Sequence, residues 1–243
     1  MHDEVQGVPP RRQRQPIFRA PKVVTVLLAL LILIYTAYAF LPEEQQSLLI
    51  DVFGLFPSRI SGALRQLPRL DIATLPSLLW PLVTHTFLHG GLLHIGFNAL
   101  WLLALGTPVA QRLGASRFLG LYFVCGILGA LFYVFLRPDS PIPVIGASGA
   151  ISGLMGGVVR FALVPSRSGK LVSLGDARLL VFVGLWFIIN LVFGVTGFGV
   201  TDEAMAIAWE AHVGGFVGGL VLFPLFDRAR LPSRSMDDRW PTV

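Results

Sequence analysis

Charge is what this chain has least of. Only 14% of its 243 residues are Asp, Glu, Lys or Arg, against 54% hydrophobic, and the mean hydropathy is +0.70. That is too little charge to clothe a soluble domain of this size. There is one cysteine, Cys125, and no CxxC pair, which excludes an intramolecular disulfide and dithiol redox chemistry. Cys125 lies in an apolar stretch and is expected to be core packing. The chain also lacks a Gly-rich phosphate loop and any internal repeat of about 20 to 50 residues, so nucleotide-binding and solenoid readings fall away.

What is present is membrane-length apolar sequence. Crossing the hydrocarbon takes about 20 mostly apolar residues, and six stretches qualify: 23–41, 82–105, 118–136, 147–164, 179–198 and 209–226. The expected fold is therefore all-α, a polytopic bundle of six transmembrane helices. The first stretch follows a polar tail and has no small-x-small cleavage signature before Leu41, so it is expected to be a retained anchor. Residues 1–22 and 227–243 are expected to be polar cytoplasmic tails flanking a membrane domain at 23–226. The connection 42–81 carries apolar pieces too short to cross, "SLLIDVFGLFPSRI" and "LPSLLWPL", which suit the membrane interface, with Trp80 at headgroup level.

A net charge of +5 raises the possibility of nucleic acid, but the basic residues are distributed by side. With both termini in the cytoplasm, only Arg59, Arg65, Arg69 and Arg137 of the 19 basic residues fall outside. This is the positive-inside pattern, and it explains the charge with no nucleic-acid partner. The expected location is a bacterial cell membrane, with the lipid bilayer as surroundings. Spans two, four and six then begin at the same outer face.

Polar residues concentrate at that face. Span two holds His85, His89, His94 and Asn98. His94 and Asn98 are i and i+4 and share a helix face, and His89 would lie about a third of a turn away. Intramembrane ionisable groups usually face a bundle interior or a wet cavity. His85, nearest the edge, is expected to bond a backbone carbonyl or a lipid headgroup. His85 and His89 have metal-compatible spacing, yet no Glu follows as in H-E-x-x-H and no third ligand is evident, so no metal is expected.

Span four opens on "GASGAISGLMGG", with stripes of Ser148, Ser152, Gly156 and of Gly149, Gly153, Gly157. Span six carries His212, with Gly215 and Gly219 following on the same face. Smooth stripes let two helices approach closely, and the reading for Ser152 is packing alone. If spans four and six pack along these stripes, a serine at the outer end of one meets a histidine at the outer end of the other. An imidazole that takes the hydroxyl proton turns serine into a nucleophile. Free backbone N–H groups at the start of span four, Gly149 among them, favour a developing oxyanion, and Asn98 and His94 could donate to it from span two. Glu210 points to the opposite side of its helix from His212, and Asp202 and Glu203 lie in the loop outside, so a Ser-His dyad without a carboxylate is expected.

Together these residues resemble the rhomboid intramembrane serine proteases. The similarity covers 23–226 and rests on three blocks in the family's order: "HGGLLHIGFN", "GASG" and "AHVGGFVGG". It implies a nucleophile at Ser148, a general base at His212, oxyanion stabilisation by His94 and Asn98, and supporting places for His89 and Gly146. It also implies that the substrates are single-span membrane proteins, admitted between spans two and five and cut in or near the membrane, and no cofactor is expected. The chain departs from the family in carrying Ser152 where an aromatic often follows the nucleophile, and in lacking a Trp-Arg pair in the first long loop. Neither removes a group needed for bond cleavage. Two other readings compete: a non-catalytic relative that binds membrane proteins, although such relatives typically lose the serine or histidine, and a small-solute transporter, although no inverted repeat is visible.

Overall fold

The computed structural model describes residues 20–66, 71–164, 170–196 and 208–227. Most of the expected tails, the loop carrying Asp202 and Glu203, and Arg69 lie outside the described residues. Ten α-helices form among them: α1 Lys22–Ala39, α2 Glu43–Phe53, α3 Pro57–Arg65, α4 Leu75–Leu79, α5 Pro81–Thr84, α6 Leu92–Leu113, α7 Ala115–Leu136, α8 Ser148–Ala162, α9 Ala177–Thr196 and α10 Trp209–Phe226. No strand occurs among the described residues, only an isolated antiparallel bridge between Leu55 and Val144. The fold is an all-α membrane bundle, and α1, α6, α7, α9 and α10 are each long and apolar enough to cross a bilayer.

One expected span is corrected, and another keeps its place but is short. The second begins at Leu92, ten residues later than expected, because the chain is extended at Gly91 (φ 179°, ψ 167°) and the preceding apolar residues are taken up by α5 and a 3-10 turn, His85–Phe87. Hydropathy alone does not separate a crossing helix from apolar turns packed across its end. The fourth, α8, has 15 residues, about 22 Å at 1.5 Å per residue, which is short of a hydrocarbon core of about 30 Å. Residues 141–147 lead into it outside any helix, and Ala147 is fully buried, so Ser148 starts inside the bundle.

Helix directions follow from the joints. Gly114, at φ +80°, alone links α6 to α7 and reverses the chain; this left-handed geometry suits glycine. Arg112 at the end of α6 pairs with Asp227 beyond α10 at 2.7 Å, so those two ends coincide. α6, α8 and α10 therefore run parallel, and Ser148 and His212 lie at a shared end. The core between them is built from Leu102, Phe118, Leu121, Tyr122, Cys125, Leu154 and Phe223, all essentially inaccessible. Buried Cys125 fits the packing role expected of it.

The long connection caps the same end. Leu55 and Val144 exchange backbone hydrogen bonds of 3.1 and 2.8 Å, Ser61 Oγ donates to the Pro138 carbonyl at 2.6 Å, and Trp80 Nε1 donates to the Val52 carbonyl at 2.8 Å. These bonds tie α2, α3 and α5 to the segment that leads into α8.

Candidate active site

The path into α8 is set before the helix begins. Gly146 adopts φ +110°, a region that a Cβ disfavours. Its N–H donates to the His85 carbonyl at 2.8 Å, and the buried His85 ring holds the Pro81 carbonyl through Nδ1 at 2.7 Å. His85 thus bonds a backbone carbonyl and is shielded from headgroups. Ser148 is the first residue of α8. The first bond inside the helix runs from the Ile151 N–H to the Ala147 carbonyl, 2.9 Å, which leaves the N–H groups of Ser148, Gly149 and Ala150 without intrahelical acceptors. They form the positive end of the helix dipole beside the serine hydroxyl.

Glycine contacts bring α10 against α8. A Cβ at Gly215 would collide with the Gly149 carbonyl, one at Gly219 with the Gly153 carbonyl, and one at Gly156 with the Phe216 carbonyl. The two backbones can approach this closely only because no side chains intervene. As a result His212 Nε2 lies 2.8 Å from Ser148 Oγ, and both residues are half-buried.

Behind His212 stands a residue that the sequence reading did not single out. Its Nδ1 lies 3.0 Å from Oδ1 of Asn190 on α9. The Asn190 amide is oriented by its Nδ2, which donates to the Trp186 carbonyl at 3.0 Å. Its oxygen therefore accepts from His212 Nδ1–H, and His212 Nε2 presents its lone pair to the serine hydroxyl. The available signal was an amide within the apolar run "WFIINLVF". The dyad expected to stand alone thus has an amide at its back.

His94 and Asn98 reach the site from α6. His94 Nδ1 accepts from the Gly90 N–H at 3.4 Å, which leaves Nε2 as the protonated edge. That edge occupies the place of a missing side chain: a Cβ at Gly146 would stand 2.5 Å from His94 Nε2. Asn98 is buried and donates through Nδ2 to the His94 carbonyl at 2.9 Å, with a second amide hydrogen left over. His89 is not on α6, where helical spacing placed it, because the extended Gly91 separates them. It is buried with its ring edge-on to His94, centroids 5.0 Å apart, and so backs that ring. Glu210 faces away from His212, and its buried carboxylate pairs with Arg137 Nε at 2.9 Å.

The family model described as "Rhomboid domain" matches residues 76–228. Relatives include Rhomboid protease GluP of Bacillus subtilis, 39% identical over 141 residues, which are 58% of this chain and 24% of that protein. Rhomboid protease GlpG of Serratia proteamaculans is 35% identical over 145 residues, 59% of this chain and 47% of that protein. RHOMBOID-like protein 4 of Arabidopsis thaliana is 32% identical over 146 residues, 59% of this chain and 33% of that protein. The matched part of the chain thus spans between about a quarter and a half of these relatives' lengths.

Proposed function

The chain belongs to the rhomboid family, and from that premise we propose that it is an intramembrane serine endopeptidase that cuts single-span membrane proteins in or near their transmembrane segment. The observation that carries this reading is the 2.8 Å approach of Ser148 Oγ to His212 Nε2 across the α8–α10 seam. A serine hydroxyl bonded to a correctly oriented neutral imidazole is the arrangement that acyl transfer requires.

In the proposed reaction Ser148 Oγ attacks the scissile carbonyl carbon while His212 Nε2 takes the hydroxyl proton. The carbonyl oxygen becomes an oxyanion at the N-terminus of α8, where the Ser148 and Gly149 N–H groups, the free hydrogen of Asn98 Nδ2 and His94 Nε2–H are the donors. His212 then returns the proton to the leaving amine, which departs and leaves an acyl ester on Ser148. Water, deprotonated by His212, cleaves that ester and restores the serine. Gly146, His89, Gly215 and Gly219 support the site: the first two hold the His94 ring and the approach to α8, the last two close the helix seam. No step needs a metal or cofactor.

The same reading puts both termini in the cytoplasm, with Ser148 toward the outer half of a bacterial cell membrane, on the strength of the basic-residue asymmetry. The test incubates purified protein with a single-span model substrate and, separately, with a fluorophosphonate probe. Wild type should cleave the one and be labelled by the other, and Ser148→Ala should do neither. Equal cleavage or equal labelling by Ser148→Ala would overturn the assignment.

A further inference from the structure

Asn190 sits on the least buried of the membrane-length helices. Of the 20 residues of α9 only Leu179 is buried, and Leu180, Leu185, Ile188, Ile189 and Val192 are exposed. The helix is seated on α10 by ring contacts, chiefly Trp186 stacked on Phe216 (centroids 4.1 Å, 16° between planes) and Phe187 edge-on to Trp209 at 6.3 Å. The bond from His212 Nδ1 to Asn190 Oδ1 is made by that seated helix, across the same seam, one turn along from Trp186. The histidine that faces Ser148 thus takes its orientation from a helix seated on α10 largely by aromatic rings.

The geometry points to Asn190 as a positioning residue that makes the base competent only while α9 is seated on α10. The inference rests on the Ser148–His212 reading above. With Asn190 in place, the proton is held on Nδ1 and Nε2 is free to accept from Ser148. When α9 moves off, Nδ1 loses its acceptor, and the imidazole can carry its proton on Nε2, where it has no lone pair for the serine hydroxyl. As His212 becomes imidazolium in the transition state, its bond to Asn190 becomes charge-assisted and strengthens, so the effect falls on turnover and spares binding. Glu210, on the same helix as His212, is turned to Arg137, and the other titratable side chain at the site is His94 on α6.

The experiment measures kcat and KM for cleavage of a single-span model substrate by Asn190→Leu, Asn190→Asp, Trp186→Leu and the Asn190→Leu/Trp186→Leu double variant. Asn190→Leu should lose roughly 10- to 100-fold in kcat with KM unchanged. Asn190→Asp, which keeps an acceptor, should stay within a few-fold of wild type, with the acidic limb of its pH profile moved to higher pH. Trp186→Leu, which loosens the seat, should lower kcat in the wild-type background but add little to Asn190→Leu. If Asn190→Leu does not fold, Asn190→Ala takes its place against Asn190→Asp, and the latter must be clearly faster. With Ser148→Ala inactive, an Asn190→Leu enzyme within twofold of wild type, equal losses in the Leu and Asp variants, or additive losses in the double variant would each overturn this inference alone. Cleavage by Ser148→Ala would overturn the parent reading instead.

Discussion

Gly215 of α10 rests on the carbonyl of Gly149 of α8, with no room for a methyl group between the two helices. That contact lies one residue from Ser148 and one turn from His212, so the seam that closes the bundle also sets the Ser148–His212 distance.

Gly215→Ala and Gly219→Ala should therefore lower stability and activity together. Each new Cβ overlaps a backbone carbonyl that cannot rotate away, and overpacking of this kind costs about 1–3 kcal/mol. Gly184→Ala on α9, where nothing lies within 4 Å, should leave both unchanged. Thermal melts in detergent and turnover per folded molecule check this. A Gly215→Ala enzyme with unaltered Tm and kcat would mean that the seam is looser than its geometry.

Gly146→Ala should uncouple folding from activity. It forces a side chain into a left-handed turn and onto the His94 ring, in the segment that leads into α8. Loss of a positioned oxyanion donor typically costs about 10² to 10³ in turnover, so kcat should fall by that order while helix content by circular dichroism is retained. Unfolding with full specific activity in the surviving fraction would assign Gly146 a structural part only.

Asn98→Ala should behave similarly for a different reason. The Nδ2–His94 bond is replaceable by the helix's own geometry, but the second amide hydrogen is not. Substrate affinity should hold while turnover falls by about 10² to 10³. Active-site titration and KM separate this from a folding defect.

Glu210→Gln should leave turnover within a few-fold of wild type, whereas His212→Ala nearly abolishes it. The carboxylate is engaged with Arg137, and His212 finds its partner in an amide on another helix. Because the Arg137 side chain is 58% exposed, loss of the pair should cost only about 1 kcal/mol, read as a small drop in Tm. A collapse in kcat comparable to His212→Ala would place an acid in the catalytic relay.

Hydropathy alone sufficed for the polytopic all-α architecture, since burying backbone in hydrocarbon demands helices, and a run of apolar residues is a local property. The small-residue stripes of spans four and six were equally legible, because 3.6-residue periodicity turns spacing into a face. From them followed the expectation that Ser148 and His212 share one end of the bundle, and in the structure their side chains meet. What composition did not separate was a crossing helix from apolar turns lying across its end: residues 82–91 carry enough apolar side chains to run on into Leu92–Leu113, and only the extended Gly91 and the packing of His85 against Pro81 and Gly146 decide where α6 begins. The fourth span, by contrast, begins and ends within two residues of the expected 147–164, because the small-residue stripe and the helix share the same bounds.

The partner of His212 belonged wholly to the tertiary structure. Asn190 and His212 are 22 residues apart on different helices, and whether they meet depends on the rotation and axial register of α9 against α10. That register is set by how Trp186 stacks on Phe216 and Phe187 meets Trp209 edge-on, a fit between surfaces that no single helix encodes. Local sequence determines which face of a helix is smooth, apolar or polar. Only the packed bundle determines which of those faces touch, because that choice is made by the summed contacts of several helices at once.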